Sequence, residues 1–96
     1  MPTYIVLGNF TDQGIRNIKD TTKRASAVKE AAKKVGASVK NLYWTLGHYD
    51  VVTVVDAPDD QSVAALLFSI GSLGNVRTQS LKAFEADEVE RILGKI

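Results

Sequence analysis

An α+β sandwich of order βαββαβ with an extra C-terminal helix is the fold class this sequence predicts, and three observations predict it. Short β-branched runs alternating with a period of two are interleaved with longer segments of helical period, and glycine or proline stands at most junctions. At 96 residues the chain makes one domain, spanning residues 1–96. Area scaling then predicts that about 64% of the unfolded accessible surface disappears on folding, enough for one modest core without staples.

Local signals mark out the elements. Thr3 to Asn9 is an apolar, β-branched run bounded by Pro2 and by the turn-like Asn9 to Gly14, as a buried strand requires. Thr11 before Asp12 reads as a helix N-cap, followed by Ile15 and Ile18 on one face. Gly14 weakens that start. A second start at Asp20-Thr21-Thr22 precedes Ala25, Val28, Ala32 and Val35 at helical spacing until Gly36, so the first helix is expected in two segments with a kink. Val39 to Leu46 has period two, with Leu42, Trp44 and Leu46 on one face and Val39, Tyr43 and Thr45 on the other; Leu42 and Trp44 are expected in the core. Gly47-His48-Tyr49-Asp50 makes a hairpin to the strand Val51 to Asp56. Ala57-Pro58 ends that strand and Asp59 or Asp60 caps a helix carrying Val63, Leu66, Leu67, Ile70 and Leu73, stopped at Gly74. Val76 to Phe84 is a more polar fourth strand. Asp87 to Lys95 is a terminal helix, acidic early and basic late, as the helix dipole favours.

This order is the double split βαβ of a ferredoxin-like sandwich: a four-stranded antiparallel sheet in spatial order 4-1-3-2 with helices on one face. Strands one and three each carry apolar residues on both sides, Tyr4 and Val6 against Ile5 and Leu7, and Val52 and Val54 against Val51, Thr53 and Val55. Two helices cover only one face, so the other predicts a homodimer or larger homo-oligomer in which exposed sheet faces meet, rimmed by Arg77, Gln79 and Lys82.

Composition excludes several classes. Twelve Lys plus Arg against eleven Asp plus Glu leave a net charge of +1, which gives no global attraction to nucleic acid or anionic membrane. Without cysteine and with one histidine, His48, neither thiolate chemistry nor an all-protein metal site is expected, and no cofactor is implied. The longest uncharged run, Gln61 to Val76, is shorter than a membrane span and broken by Gly, Ser and Asn. No basic segment leads an apolar one at the N-terminus, so the expected location is cytoplasmic.

The topology gathers chemistry at one end of the sheet. Asn9, Thr11, the Gly47 to Asp50 hairpin and Arg77 share it, bringing acid, imidazole, phenol and guanidinium beside a helix start. The expected ligand-binding set is therefore Asn9, Thr11, Tyr49, Asp50 and Arg77, receiving a small polar or anionic metabolite. Asp50 and His48 are the catalytic candidates if the chain is an enzyme, with Arg77 holding an anion. Structural roles compete at each: Gly47 and Asp50 serve turn geometry, His48 sits solvated at a hairpin tip, and Arg77 pairs with Asp50 or Asp12.

Gly47-His48-Tyr49-Asp50, followed by Val51-Val52 and Ala57-Pro58-Asp59-Asp60, resembles the G-x-Y-D signature of the GYD-domain family of small prokaryotic proteins. Asn9 to Ile15, Leu42 to Gly47 and Gly74 to Thr78 extend the likeness over nearly the whole chain, with Asp56 where the family often has Glu. The resemblance implies a ferredoxin-like dimeric α/β fold and carries no reaction with it. The favoured reading is a small oligomeric binding or regulatory domain; the alternative is a cofactor-independent enzyme of the dimeric α/β barrel type. An RNA-binding module is less favoured. Ile5 to Phe10 looks like the first motif of an RNA-recognition fold, but Asp50, Val52 and Val54 stand where its second motif needs aromatic and basic residues.

Overall fold

The computed structural model covers residues 1–96 and runs β1 (Thr3–Phe10), α1 (Asp12–Arg16), a single 3-10 turn (Ile18–Asp20), α2 (Thr21–Lys34), β2 (Ser38–Trp44), β3 (Val51–Asp56), α3 (Asp60–Ser72), β4 (Val76–Ala83) and α4 (Ala86–Leu93). All pairings are antiparallel and the sheet order is β2-β3-β1-β4, which is the expected 4-1-3-2 counted from the other edge. The expected kink is also present, as the 3-10 turn between α1 and α2.

Alternation decides which face is inside. Tyr4, Val6 and Gly8 of β1 are buried, as are Thr53 and Val55 of β3, and Tyr4, Val6 and Val55 share one core with Ala32 of α2 and Val63 and Leu66 of α3. On the opposite face Ile5 pairs with Val54 and Leu81, and Leu7 with Val52 and Gln79. That face remains open, with Tyr43 56% and Leu81 44% exposed. Arg77 and Gln79 lie on it, across from Asn9 and Leu7, whereas Lys82 does not. Lys82 is paired with Tyr4 and bonds Asp60 on the helix side, so it cannot rim the open face.

β2 departs from strict alternation. Val39 pairs with Val55 and Asn41 with Val54, so Lys40 is an extra, bulged residue. The bulge brings Val39 and Leu42, expected on opposite faces, onto the same helix-facing side, and Lys40 reaches Asp56 at 3.4 Å. The strand stops at Trp44, leaving Leu46 fully exposed. Trp44 is 45% exposed and not a core residue.

α4 is closed at its start by a reciprocal capping box between Glu85 and Glu88. Its apolar residues Val89, Ile92 and Leu93 remain 39–52% exposed. No helix is long and apolar enough to cross a membrane.

Candidate functional site

The hairpin end is built on hydrogen bonds that splice the β2–β3 connection onto β1. Gly47 adopts φ +113°, open to glycine and strained for other residues. Thr45 Oγ1 donates to the Tyr49 carbonyl at 2.5 Å, and Thr45 N donates to the Asp50 carbonyl at 2.8 Å, closing the loop. Asp50 N donates to Gly8 O at 2.9 Å, while Asp50 Oδ2 accepts from Phe10 N at 2.9 Å. Asn9 Nδ2 donates to the His48 carbonyl at 2.8 Å.

The expected site residues therefore divide by what they already hold. Thr11 caps α1 through Gly14 N and donates its hydroxyl to Gly74 O at 2.6 Å, joining the start of α1 to the start of β4. Asp50 secures Phe10. Tyr49 turns onto the open face, its hydroxyl 3.2 Å from Gln79 Oε1. Arg77 lies exposed across from Asn9 and forms neither of the expected ion pairs, with Asp50 or with Asp12. His48 is exposed at the tip, with its backbone carbonyl engaged rather than its imidazole. The structure thus places Asn9, Tyr49 and Arg77 around one end of the open face, and uses Thr11, Asp50 and the Asn9 amide nitrogen to hold that end together.

A second polar cluster stands at the far end, on the helix side. The Tyr4 hydroxyl donates to Asp60 Oδ1, Lys82 Nζ bonds the same oxygen at 3.2 Å, and Lys82 Nζ lies 5.9 Å from the Tyr4 ring centre. The hydrogen bond to Asp60, then burial, push the Tyr4 phenol up to about 12. The same bond from Tyr4, followed by Lys82, holds the Asp60 carboxyl below its ordinary value.

The sequence did not announce a cleft on the helix side. Between α2, α3 and the sheet lies a space of about 330 Å³, walled by Phe10, Leu42, Trp44, Val28 and Ile70, with Arg24 also in its lining. Its origin is the alanine-rich face of α2: Ala25 and Ala31 line the space and are too small to fill it. The helical spacing of Ala25, Val28, Ala32 and Val35 is legible in the sequence, but Ala31 is not singled out by it, and small side chains read as close packing as readily as a void.

An antiparallel ferredoxin-like sheet with helices on one face, an apolar opposite face and a stapled Gly-x-Tyr-Asp hairpin defines a small α+β domain class. Within it, residues 4–93 match the GYD domain, and the chain belongs to that family. It is 37% identical over 94 residues to the glutamine synthetase and cystathionine beta-lyase binding protein of Thermus thermophilus, covering 96% of this chain and 99% of that protein. A crystal structure of a Thermus thermophilus protein is 30% identical, with a TM-score of 0.58 over 90% of this chain and 96% of its own. The Mycobacterium tuberculosis feast or famine regulatory protein, solved with L-methionine, has 21% identity and a TM-score of 0.68. The match takes in 90% of this chain and 52% of that regulator, a likeness of fold.

Proposed function

We propose that this protein is a small homo-oligomeric binding protein with a regulatory role, in which two copies meet through their open sheet faces. A small polar or anionic metabolite is then held at the hairpin end by Asn9, Tyr49 and Arg77. The carrying observation is surface that one copy leaves uncovered. The chain exposes 6509 Å², where compact monomers of its mass expose about 5,400 Å². Ile5, Leu7, Val52, Val54 and Leu81 contribute an apolar strip to that excess. Arg77 supplies the charge beside it, with no protein carboxylate to neutralise it.

The enzyme reading has less support, because Asp50 Oδ2 is occupied by Phe10 N and the His48 imidazole has no partner to orient it. RNA binding has less still: on the open face the central strands β1 and β3 offer aliphatic Ile5, Leu7, Val52 and Val54 where base stacking needs aromatic rings, and the tyrosines of that face, Tyr43 and Tyr49, lie on the edge strand and the hairpin. A protein partner is a second reading, supported by the name of the Thermus relative, which describes binding to two enzymes.

Light scattering tests the assembly. The expected mass is at least twice 10.4 kDa at micromolar concentration. Val54→Arg should yield a folded monomer, and a wild-type mass of one chain would sink the proposal. A thermal-shift screen of metabolites tests the site: a ligand at a hundredfold excess over Kd stabilises by about 2.7 kcal/mol. Arg77→Ala should erase that rise while leaving the unliganded melting temperature nearly unchanged.

A further inference from the structure

We propose that the cleft between α2 and α3 is a separate binding site for a small carboxylate with a flat apolar body, the body resting between Phe10 and Trp44 and the carboxylate on Arg24. This goes beyond the site proposed above, since Phe10 and Trp44 face the helices while Asn9, Arg77 and the Tyr49 hydroxyl serve the open face.

The volume is that of a small-molecule site. At about 330 Å³ the cleft falls at the lower end of the range of ligand pockets, about 300–1,000 Å³. A smaller void of about 60 Å³ lies against Leu42, Val51, Ile70 and Val76, which also line the cleft. Apolar walls of this kind hold water poorly and favour an apolar occupant.

Polarity is confined to few positions, and the charge among them has one sign. Arg24 is the one charged side chain in the lining, and no carboxylate accompanies it. Its Nη1 donates to Asn17 O at 2.8 Å and its Nη2 to Gly14 O at 3.1 Å, and its guanidinium carbon lies 5.7 Å from the centre of the Phe10 ring. These contacts fix the guanidinium in position while neutralising none of its charge. Two of its five N–H groups are used; the planar fork suits a carboxylate better than a compact neutral donor.

Trp44 supplies the facing wall. Its Nε1 donates to Thr21 Oγ1 at 2.9 Å, which pins an otherwise exposed edge-strand ring against the start of α2. A tryptophan 45% exposed at a strand end is held there by a specific bond, and it shares the lining of the cleft with Phe10 and Leu42. Flat aromatic walls favour a flat guest.

Trp44 is the sole tryptophan, so its emission reports the cleft directly. The probe is 4-phenylbutyrate, with 4-phenylbutyramide as its neutral counterpart and inorganic phosphate as an anion without an apolar body. The expected result is a saturable change in Trp44 emission with the acid, at least tenfold weaker binding of the amide, and no change with phosphate. Arg24→Gln should bring acid and amide to equal affinity. Ala27→Phe, at an exposed lining position away from the Arg24 bonds, should abolish both responses. Arg77→Ala should leave them intact, which separates failure here from failure of the open-face site. The proposal is overturned if the acid gives no saturable change, if acid and amide bind wild type equally, or if phosphate reproduces the response. It is also overturned if Ala27→Phe, folded by circular dichroism, still binds.

Discussion

Gly14 lies directly against Asn75: a Cβ at position 14 would stand 2.0 Å from the Asn75 carbonyl oxygen. That oxygen accepts from Thr11 N at 3.1 Å, so the start of α1 and the residue before β4 are locked together where the polypeptide leaves β1. Here the close approach requires glycine, and the weak helix start at this position is its consequence.

Gly14→Ala should therefore destabilise the protein by about 1–3 kcal/mol, the usual range for forced overpacking, despite the better helix propensity of alanine. Denaturant titration would show a lower midpoint at unchanged slope. Because Gly14 O also accepts from Arg24 Nη2, the same change should shift Trp44 emission in the folded state.

Stability should fall at both ends of the pH scale through the Tyr4–Asp60–Lys82 cluster. Asp60 is held below its ordinary value of 3.8, so its contribution is complete above pH 3.8 and is lost as pH falls further. Tyr4 is raised from 10.0 to about 12, so the unfolded chain releases the phenolic proton first. Stability accordingly declines as pH rises from 10 towards 12. Tyr4→Phe should flatten the alkaline decline and reduce the acid one, leaving Lys82 as the partner of Asp60. Parallel stability curves for the two proteins would show that the cluster is not coupled to folding.

Asp50→Asn and Asp50→Ala should differ if Asp50 is chiefly a staple. Asparagine keeps an acceptor for Phe10 N; alanine leaves that donor without its partner and should cost about 1–3 kcal/mol. Thermal unfolding of both variants checks this, and equal losses would show that the carboxylate charge, not the acceptor, matters.

Reversing the apolar character of the two sheet faces should have distinct consequences. Val6 is 7% exposed against the helices, so Val6→Arg should prevent folding, whereas Val54→Arg on the open face should preserve the circular dichroism spectrum. Identical spectra for both variants would contradict the assignment of faces.

The order of elements, the stops at Gly36 and Gly74 and the break between α1 and α2 were legible in the sequence because they depend on local periodicity, caps and backbone preference. Alternation in β1 and β3 likewise announced two apolar faces, and with them the open face. Which residues turned inward was a tertiary outcome, since both faces of those strands are apolar and only docking of α2 and α3 distinguishes Val6 from Ile5. The Lys40 bulge, which sets Val39 beside Leu42, depends on pairing with β3 and leaves no mark on the β2 sequence. The hairpin residues were found at the expected end, yet their division between staples and open-face groups followed from hydrogen bonds to Gly8, Phe10 and Gln79 across neighbouring strands. The cleft is the clearest case: alanines on α2 specify small side chains, but only the separation of that helix from the sheet makes the remaining space a cavity.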